Sequence, residues 1–522
     1  MAGSVVLFAG LCIVIQIFSG FADKLSLSID CGDPTGTRTD ELGINWIGDG
    51  NYINTGQTAK VQVTNTYYQE EKTLRYFPFQ KKSCYLIPGA ARGMKHMIRA
   101  SFFYGNYDNK SSPPSFHLQF DGNYWTSVTT SLDTSLYWEV IYVPKRDNIS
   151  VCVAQTLPDQ IPFISVLEVK EFEPGMYETK GTEDVLVLWK RKAFGSKDFV
   201  RYPDDPYDRY WHPSGEIDGV VSVARDNMSF NKNFTDIPGL ALAHAITPAS
   251  SNATTLIVPS LEMGLGNDTY YYVFYFMEVL EAAYQNKSRS FDFLVDGIKQ
   301  NDDPIIPPYR SYVTDYNSRG RNLSGESVIS MVNTPDASLP PILNAMELFE
   351  LIKSGLAKGT NENDVKALKV LQGSYQTLRS WAGDPCLPPG FTWDWLNCST
   401  DDPPRVTELH LNGLGLDGTL PDFSGLTALE IIDLSNNSLS GHIPEFLGTF
   451  PHLKELNLTY NSFTGSLPAS VAGNKKIKLT ITGNDITEGN PSPSPTNGVR
   501  NMKPIIVGVP VGSVILLHML VG

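Results

Sequence analysis

Covalent catalysis needs acids, bases or nucleophiles that face one bond, and this chain offers them in poor company. Adjacent acids occur at Asp204 and Asp205, Asp302 and Asp303, and Asp401 and Asp402, each pair beside a proline. Neighbouring carboxylates in extended backbone point apart, whereas glycoside hydrolysis needs two acids facing one bond across about 5–9 Å. The eight histidines are scattered without metal-ligand spacing, and no serine sits in a nucleophile-elbow context. No catalytic residue, metal or cofactor is expected.

Recognition is the chemistry the residue types favour. Sugars are held by aromatic faces that cover their C–H surfaces, with carboxylates and amides fixing the hydroxyls. Tyr104, Tyr107 and Asp108 follow an apolar run, and Tyr124 and Trp125 follow a turn at Asp121 and Gly122. These five are the carbohydrate-binding candidates. The plain alternative is that such aromatics close a β core.

The cysteines are structural by context. Cys386 and Cys398 lie twelve positions apart in WAGDPCLPPGFTWDWLNC, with Pro385, Pro388 and Pro389 stiffening the loop and Trp393 and Trp395 adding apolar bulk. A disulfide there would seal one end of a repeat stack and stabilise it by roughly 3 kcal/mol in the chain-entropy account. A zinc site lacks ligands, since no second Cys pair or His stands nearby. Cys84 and Cys152 lie in strand-like contexts and are the preferred second pair, leaving Cys31, although spacing does not fix connectivity.

Disulfides imply an oxidising compartment, and both ends of the chain agree. Residues 1–22 form an apolar run closing on Gly20, Phe21 and Ala22, which fits a cleaved signal peptide, although no Lys or Arg precedes the run. Eleven N-x-S/T sequons follow, at Asn109, Asn148, Asn227, Asn233, Asn252, Asn267, Asn286, Asn322, Asn397, Asn436 and Asn457. A polar spacer at 488–503 precedes an apolar tail at 504–522. That pattern favours a GPI-attachment signal on the outer face of the plasma membrane, with a single membrane span as the alternative. The net charge of -15 is spread along the chain, which argues against nucleic acid as a partner.

The positioning elements read as mainly β. Short alternating runs, LSLSIDCG, HMIRASFFYGNY, FHLQFDG, WEVIYVP and FISVLEVKEF, predict a sandwich over 23–185. A second series, YYYVFYFMEV, FDFLVDG and ILNAMELFEL, predicts another over 186–355. Val365, Leu368, Leu371, Tyr375 and Leu378 have helical spacing, giving a helical linker and repeat cap at 356–404. Leucine-rich repeats of 23–24 residues then fill 405–487, with Asn437, Asn461 and Asn484 placed to bond the turns between units. Outward residues of the repeat strands offer a partner surface, with His410, Asp433 and Glu455 as the leading contacts. A glycan on Asn457 would block part of that face.

These residues resemble a known plant family. IDCG at 29–32, YFPF and CYLIP between Tyr76 and Pro88, IRASFFYGNYD at 98–108, VCV at 151–153, PFISVLEV at 162–169, YDRYW at 207–211, LPPILNAMELF at 339–349 and GDPC at 383–386 carry the likeness. Together with the repeats, the chain resembles the ectodomains of malectin-like leucine-rich-repeat receptor kinases of the symbiosis-receptor-kinase type. The resemblance implies two malectin-like β-sandwich lobes side by side, proposed to bind carbohydrate, followed by a short solenoid used for protein contacts. It further implies that Gly383, Asp384, Pro385 and Cys386 govern how the lobes are held to the repeats or released by proteolysis. The sequence departs from the receptor kinases in carrying no Gly-rich loop, strand lysine or catalytic-loop motif.

The expectation is a non-catalytic receptor-like protein that binds a cell-wall or microbial glycan, or a peptide, and signals through a partner receptor kinase. A structural protein tying wall polysaccharide to the membrane is the main alternative, and a secreted carbohydrate-active enzyme the third.

Overall fold

The computed structural model describes residues 24–33, 36–63, 68–225, 237–258, 268–281, 288–353 and 356–487. The expected leader at 1–22, the expected spacer and tail at 488–522, and Asn227, Asn233, Asn267 and Asn286 lie outside the described residues.

The alternating runs form two β-sandwich lobes, and a repeat solenoid follows. A single twelve-stranded sheet passes through both lobes. The first lobe contributes strands Ser26–Asp30, Val166–Glu171, His96–Phe102 and Leu136–Tyr142 to it. The second contributes Val185–Ala193, Ala345–Ile352 and Asp268–Phe276. Leu136–Tyr142 pairs antiparallel with Val185–Ala193, setting Val140 opposite Val187. The border expected at 185/186 therefore falls on the first residue of a shared strand. It marks no linker, because the backbone ladder continues across it.

A four-stranded sheet of Lys82–Pro88, Asn148–Ala154, Ser115–Phe120 and Asn123–Thr129 covers the first lobe. Ile98, Phe102, Phe116 and Leu167 fill the space beneath it. The second core, around Trp211, Phe274, Phe293 and Phe349, also takes in Met97 and Ile141 from strands of the first lobe.

Charged side chains are buried where the lobes meet. Arg99 donates through Nε to Glu168 at 2.8 Å and through Nη1 to the Asp208 carbonyl at 2.7 Å. Arg191 bridges Glu139 and Glu347, both at 2.6 Å. Asp205 accepts from Arg209 at 2.9 Å and from the Trp211 indole at 2.8 Å. Burial raises the Glu347 carboxyl, but Arg191 and Arg209 outweigh it and hold the group below the usual carboxylate range. Removing one member would strand its partner in a low dielectric, at about 3–5 kcal/mol.

In the solenoid, strands Val406–His410, Ile431–Asp433, Glu455–Asn457 and Lys478–Thr480 stack in parallel. The asparagines expected to bond the turns do so. Asn437 Nδ2 donates to the Leu411 and Leu434 carbonyls at 2.8 and 3.0 Å, and Asn461 and Asn484 repeat the arrangement one and two units on. The cap helix Glu362–Ser374 is capped by Asn361 and followed by a 3-10 turn, Gln376–Ser380. Leu368, Leu371, Tyr375 and Leu378 join the repeat core. Val365 departs from the helical stripe, half-buried and lining a cleft toward the first lobe. Among the described residues, no helix is long and apolar enough to cross a membrane.

Candidate functional site

The GDPC segment lies against the first lobe. Cys84 and Cys152 stand opposite each other on paired strands and are bonded, as are Cys386 and Cys398, while Cys31 is a buried thiol. Gly383, at φ +75°, rests on the first of these disulfides. A Cβ there would lie 2.5 Å from Cys84 Sγ and 3.0 Å from Cys152 Sγ, so no side chain fits.

Asp384 is the hub of the segment. Its buried carboxylate accepts from the Thr360 amide at 2.8 Å, the Thr360 hydroxyl at 2.5 Å, and the Cys386 and Leu387 amides at 3.1 Å. The start of the cap helix is thereby tied to the cap loop. From the lobe, Lys82 Nζ donates to the Asp384 and Leu387 carbonyls at 2.7 and 2.9 Å, and Lys81 Nζ to the Gly390 carbonyl at 2.6 Å. Asn54 reaches the Arg379 carbonyl at 3.0 Å. Burial pushes the Lys82 ammonium down to about 8, against the pull of Asp384 and Asp394. Asp384, Pro385 and Cys386 are buried, so a protease could reach this motif only after the segment lifts off the lobe.

A cleft of 360 Å³ opens beside this contact, between the lobe and the cap helix. Its lobe side carries Arg92, Lys145 and Arg146, and its cap side Lys358, Lys366 and Lys369. Asp121 and Asp384 also line it but are engaged internally. Asp121 accepts from the Ser150 amide and the Tyr142 hydroxyl, both at 2.7 Å; burial raises its carboxyl and these bonds oppose the rise. Asn148, a sequon residue, is half-buried on the wall.

The five aromatic-centred candidates do not converge. Tyr104 is wholly buried, its hydroxyl donating to Asp108 at 2.5 Å. Tyr107 is 9% exposed, packed edge-on to Tyr104 and tilted against Tyr76 and Phe163. Trp125 is buried against Phe120. The reading of these three as a sugar platform is corrected: their faces are occupied by core neighbours, and turn-adjacent aromatics look alike in sequence whichever way they point. Asp108 is half-buried with its tyrosine, and Tyr124, 50% exposed, stands edge-on to His117.

His410, Asp433 and Glu455 do share a face, that of the parallel repeat sheet. His410 pairs with Asp433 in register, and Asp433 with Asn457. His410 Nε2 lies 2.8 Å from Glu408, and Glu455 is 3.0 Å from Lys478. Asn397 reaches Glu408 at 2.8 Å on the adjoining strand. Sequon residue Asn397 thus borders the face and Asn457 lies on it. Asn109, Asn252, Asn322, Asn397 and Asn436 are exposed.

The residues that sequence reasoning missed are Lys82, Thr360, Lys366 and Lys369. Lys366 and Lys369 beside Val365 on one helix face were the available signal, since a basic stripe stands out in an acidic chain.

Residues 29–351 match the malectin-like domain family, and residues 428–450 and 452–474 match the leucine-rich repeat. The chain belongs to the malectin-like family. A probable LRR receptor-like serine/threonine-protein kinase of Arabidopsis thaliana is 36% identical over 444 residues, covering 80% of this chain and 49% of the relative. The chain thus spans about half the length of such curated relatives. An uncharacterized protein of the same plant is 32% identical over 351 residues, 66% of this chain and 68% of that one. Among solved structures, the extracellular domain of ANXUR2 from Arabidopsis thaliana superposes with a TM-score of 0.53 at 15% identity, over 63% of this chain and 97% of that one. A complex of the plant peptide RALF23 with FER and LLG2 gives 0.50 at 14% identity, over 63% and 96%. At such identities the likeness establishes the fold.

Proposed function

We propose that the protein is a non-catalytic receptor-like ectodomain whose ligand occupies the cleft between the first lobe and the repeat cap. The carrying observation is the cleft itself, walled by two structural units whose main cores are separate and which meet chiefly through hydrogen bonds to backbone carbonyls, with Leu356 and Phe391 as the apolar contacts. A ligand seated there touches both units and so biases how firmly they are joined. The relatives' receptor-kinase names and the peptide in the neighbouring complex support this class of role.

In the same reading the repeat face of His410, Asp433 and Glu455 recruits a partner receptor kinase, and the tail at 504–522 directs GPI anchoring at the outer face of the plasma membrane. Co-purification from plant membranes tests the recruitment. A receptor kinase recovered with the wild type and lost with the triple alanine variant is expected. Recovery of wall polysaccharide alone would favour the structural alternative. Release by a phosphatidylinositol-specific phospholipase checks the anchor.

A further inference from the structure

The cleft has a chemistry of its own. Six cationic side chains line it in a chain of net charge -15. Arg92, Lys366 and Lys369 are exposed, and Arg146 meets Asp384 only at 3.9 Å. Three acids, Asp121, Asp384 and Glu362, share the lining, and Lys145 and Lys358 pair with Glu183 at 3.6 Å and Asp402 at 3.0 Å, so the cations open to a ligand are Arg92, Lys366 and Lys369, with Arg146 beside them. Such a surplus draws an anionic ligand and raises its rate of encounter.

The walls decide which kind. Cations alone would serve an acidic sugar chain or an acidic peptide, and an open aromatic face would favour the sugar. Trp393 is 5% exposed, with its indole N–H donated to the Ala382 carbonyl at 3.0 Å. Trp381 stands edge-on to Trp395 and donates its indole N–H to Asp394. Neither ring lies open as a platform. Aliphatic groups, Leu86, Val143, Leu356 and Val365, line the cleft together with the cations instead. Alternate side chains of an extended peptide point to opposite sides, so one strand can offer carboxylates to the lysines and apolar groups to these walls.

We infer that the cleft binds an acidic, amphipathic peptide segment, and that this peptide bridges Arg92 and Arg146 of the first lobe to Lys366 and Lys369 of the cap helix. The inference rests on the cleft being the ligand site. Occupancy then strengthens the lobe–cap contact, because each end of the peptide is held by a different unit.

The test uses the full secreted chain and two probes, a short synthetic peptide alternating Glu and Leu, and polygalacturonate. Two variants accompany it: Lys366→Glu/Lys369→Glu in the cleft, and Lys475→Glu/Lys476→Glu at the exposed far end of the repeats as a charge control. The peptide is expected to bind the wild type, to lose about tenfold or more in affinity with the cleft variant, and to keep its affinity with the control. It should also slow amide exchange over residues 356–387. Equal weakening in both variants would overturn the inference, as non-specific attraction. Tighter, cleft-dependent binding of polygalacturonate would overturn the peptide while leaving the cleft as the ligand site. Binding of neither probe would overturn both.

Discussion

The first lobe has two neighbours and holds them by different means. Toward the second lobe the backbone ladder runs on through Val140 and Val187, the apolar core is shared, and Arg191 joins Glu139 to Glu347 in full burial. Toward the repeat cap no strand crosses among the described residues. Contact is made by Lys81, Lys82 and Asn54 donating to cap carbonyls, by the Ala357 amide donating to Asn123, by Phe391 against His117 and under Lys81, by Leu356 at the edge of the lobe core, and by one glycine laid on a disulfide. Breaking the first junction exposes a shared core and strands charges; breaking the second exchanges hydrogen bonds for water and exposes only the small contacts of Phe391 and Leu356. Net hydrogen bonds contribute only about 0.5–1.5 kcal/mol each, more when charged. The two lobes therefore behave as one body, and the cap is the part that can be lifted, which is also where the cationic cleft lies.

The lobe junction should give the largest effect. Glu347 accepts from Arg191, Tyr177 and Tyr275, so Glu347→Gln is expected to cost about 3–5 kcal/mol. Chemical denaturation should show both lobes unfolding in a single shifted transition; separate transitions would mean the lobes are independent. Next comes Cys84→Ser/Cys152→Ser. With a sequence separation of 68, its chain-entropy cost is about 4 kcal/mol at most. Calorimetry should place that loss in the first lobe, and limited proteolysis should begin to cut near residues 383–386.

Lys82→Met should be the mildest, about 1 kcal/mol, since it removes two hydrogen bonds but also a buried charge. Its pH signature is sharper. The folded-state pKa of Lys82 is about 8, against 10.5 for the free group. Between those values the unfolded chain holds the extra proton, so stability rises with pH across that window. A neutral amine keeps two N–H groups for the same two carbonyls. The rise in melting temperature from pH 8 to pH 10 should shrink in the Met variant.

This contrast was only partly legible in the sequence. The repeat asparagines, the paired cysteines around WAGDPC and the alternating strands carry local signals, because each depends on spacing within one element. Arg99 shows why the lobe junction does not. In MIRASFF it sits in an alternating strand and reads as a solvent-facing residue, yet YDRYW, a hundred residues on, covers it and supplies Asp208. Tyr104 and Trp125 failed in the opposite direction, since a turn beside an aromatic does not tell which way the ring points. The cleft draws its cations from three separate segments, which a single sequence does not align.

The cap is held by the GDPC segment seated on the Cys84–Cys152 disulfide, independently of the lobe junction. Gly383→Val tests it most directly, because its side chain would enter the space of Cys84 Sγ. Amide hydrogen exchange of this variant is predicted to lose protection over residues 356–398 and along Lys82–Pro88, with Val185–Ala193 and Ala345–Ile352 unchanged. Wild-type protection throughout, or equal loss across both junctions, would contradict it.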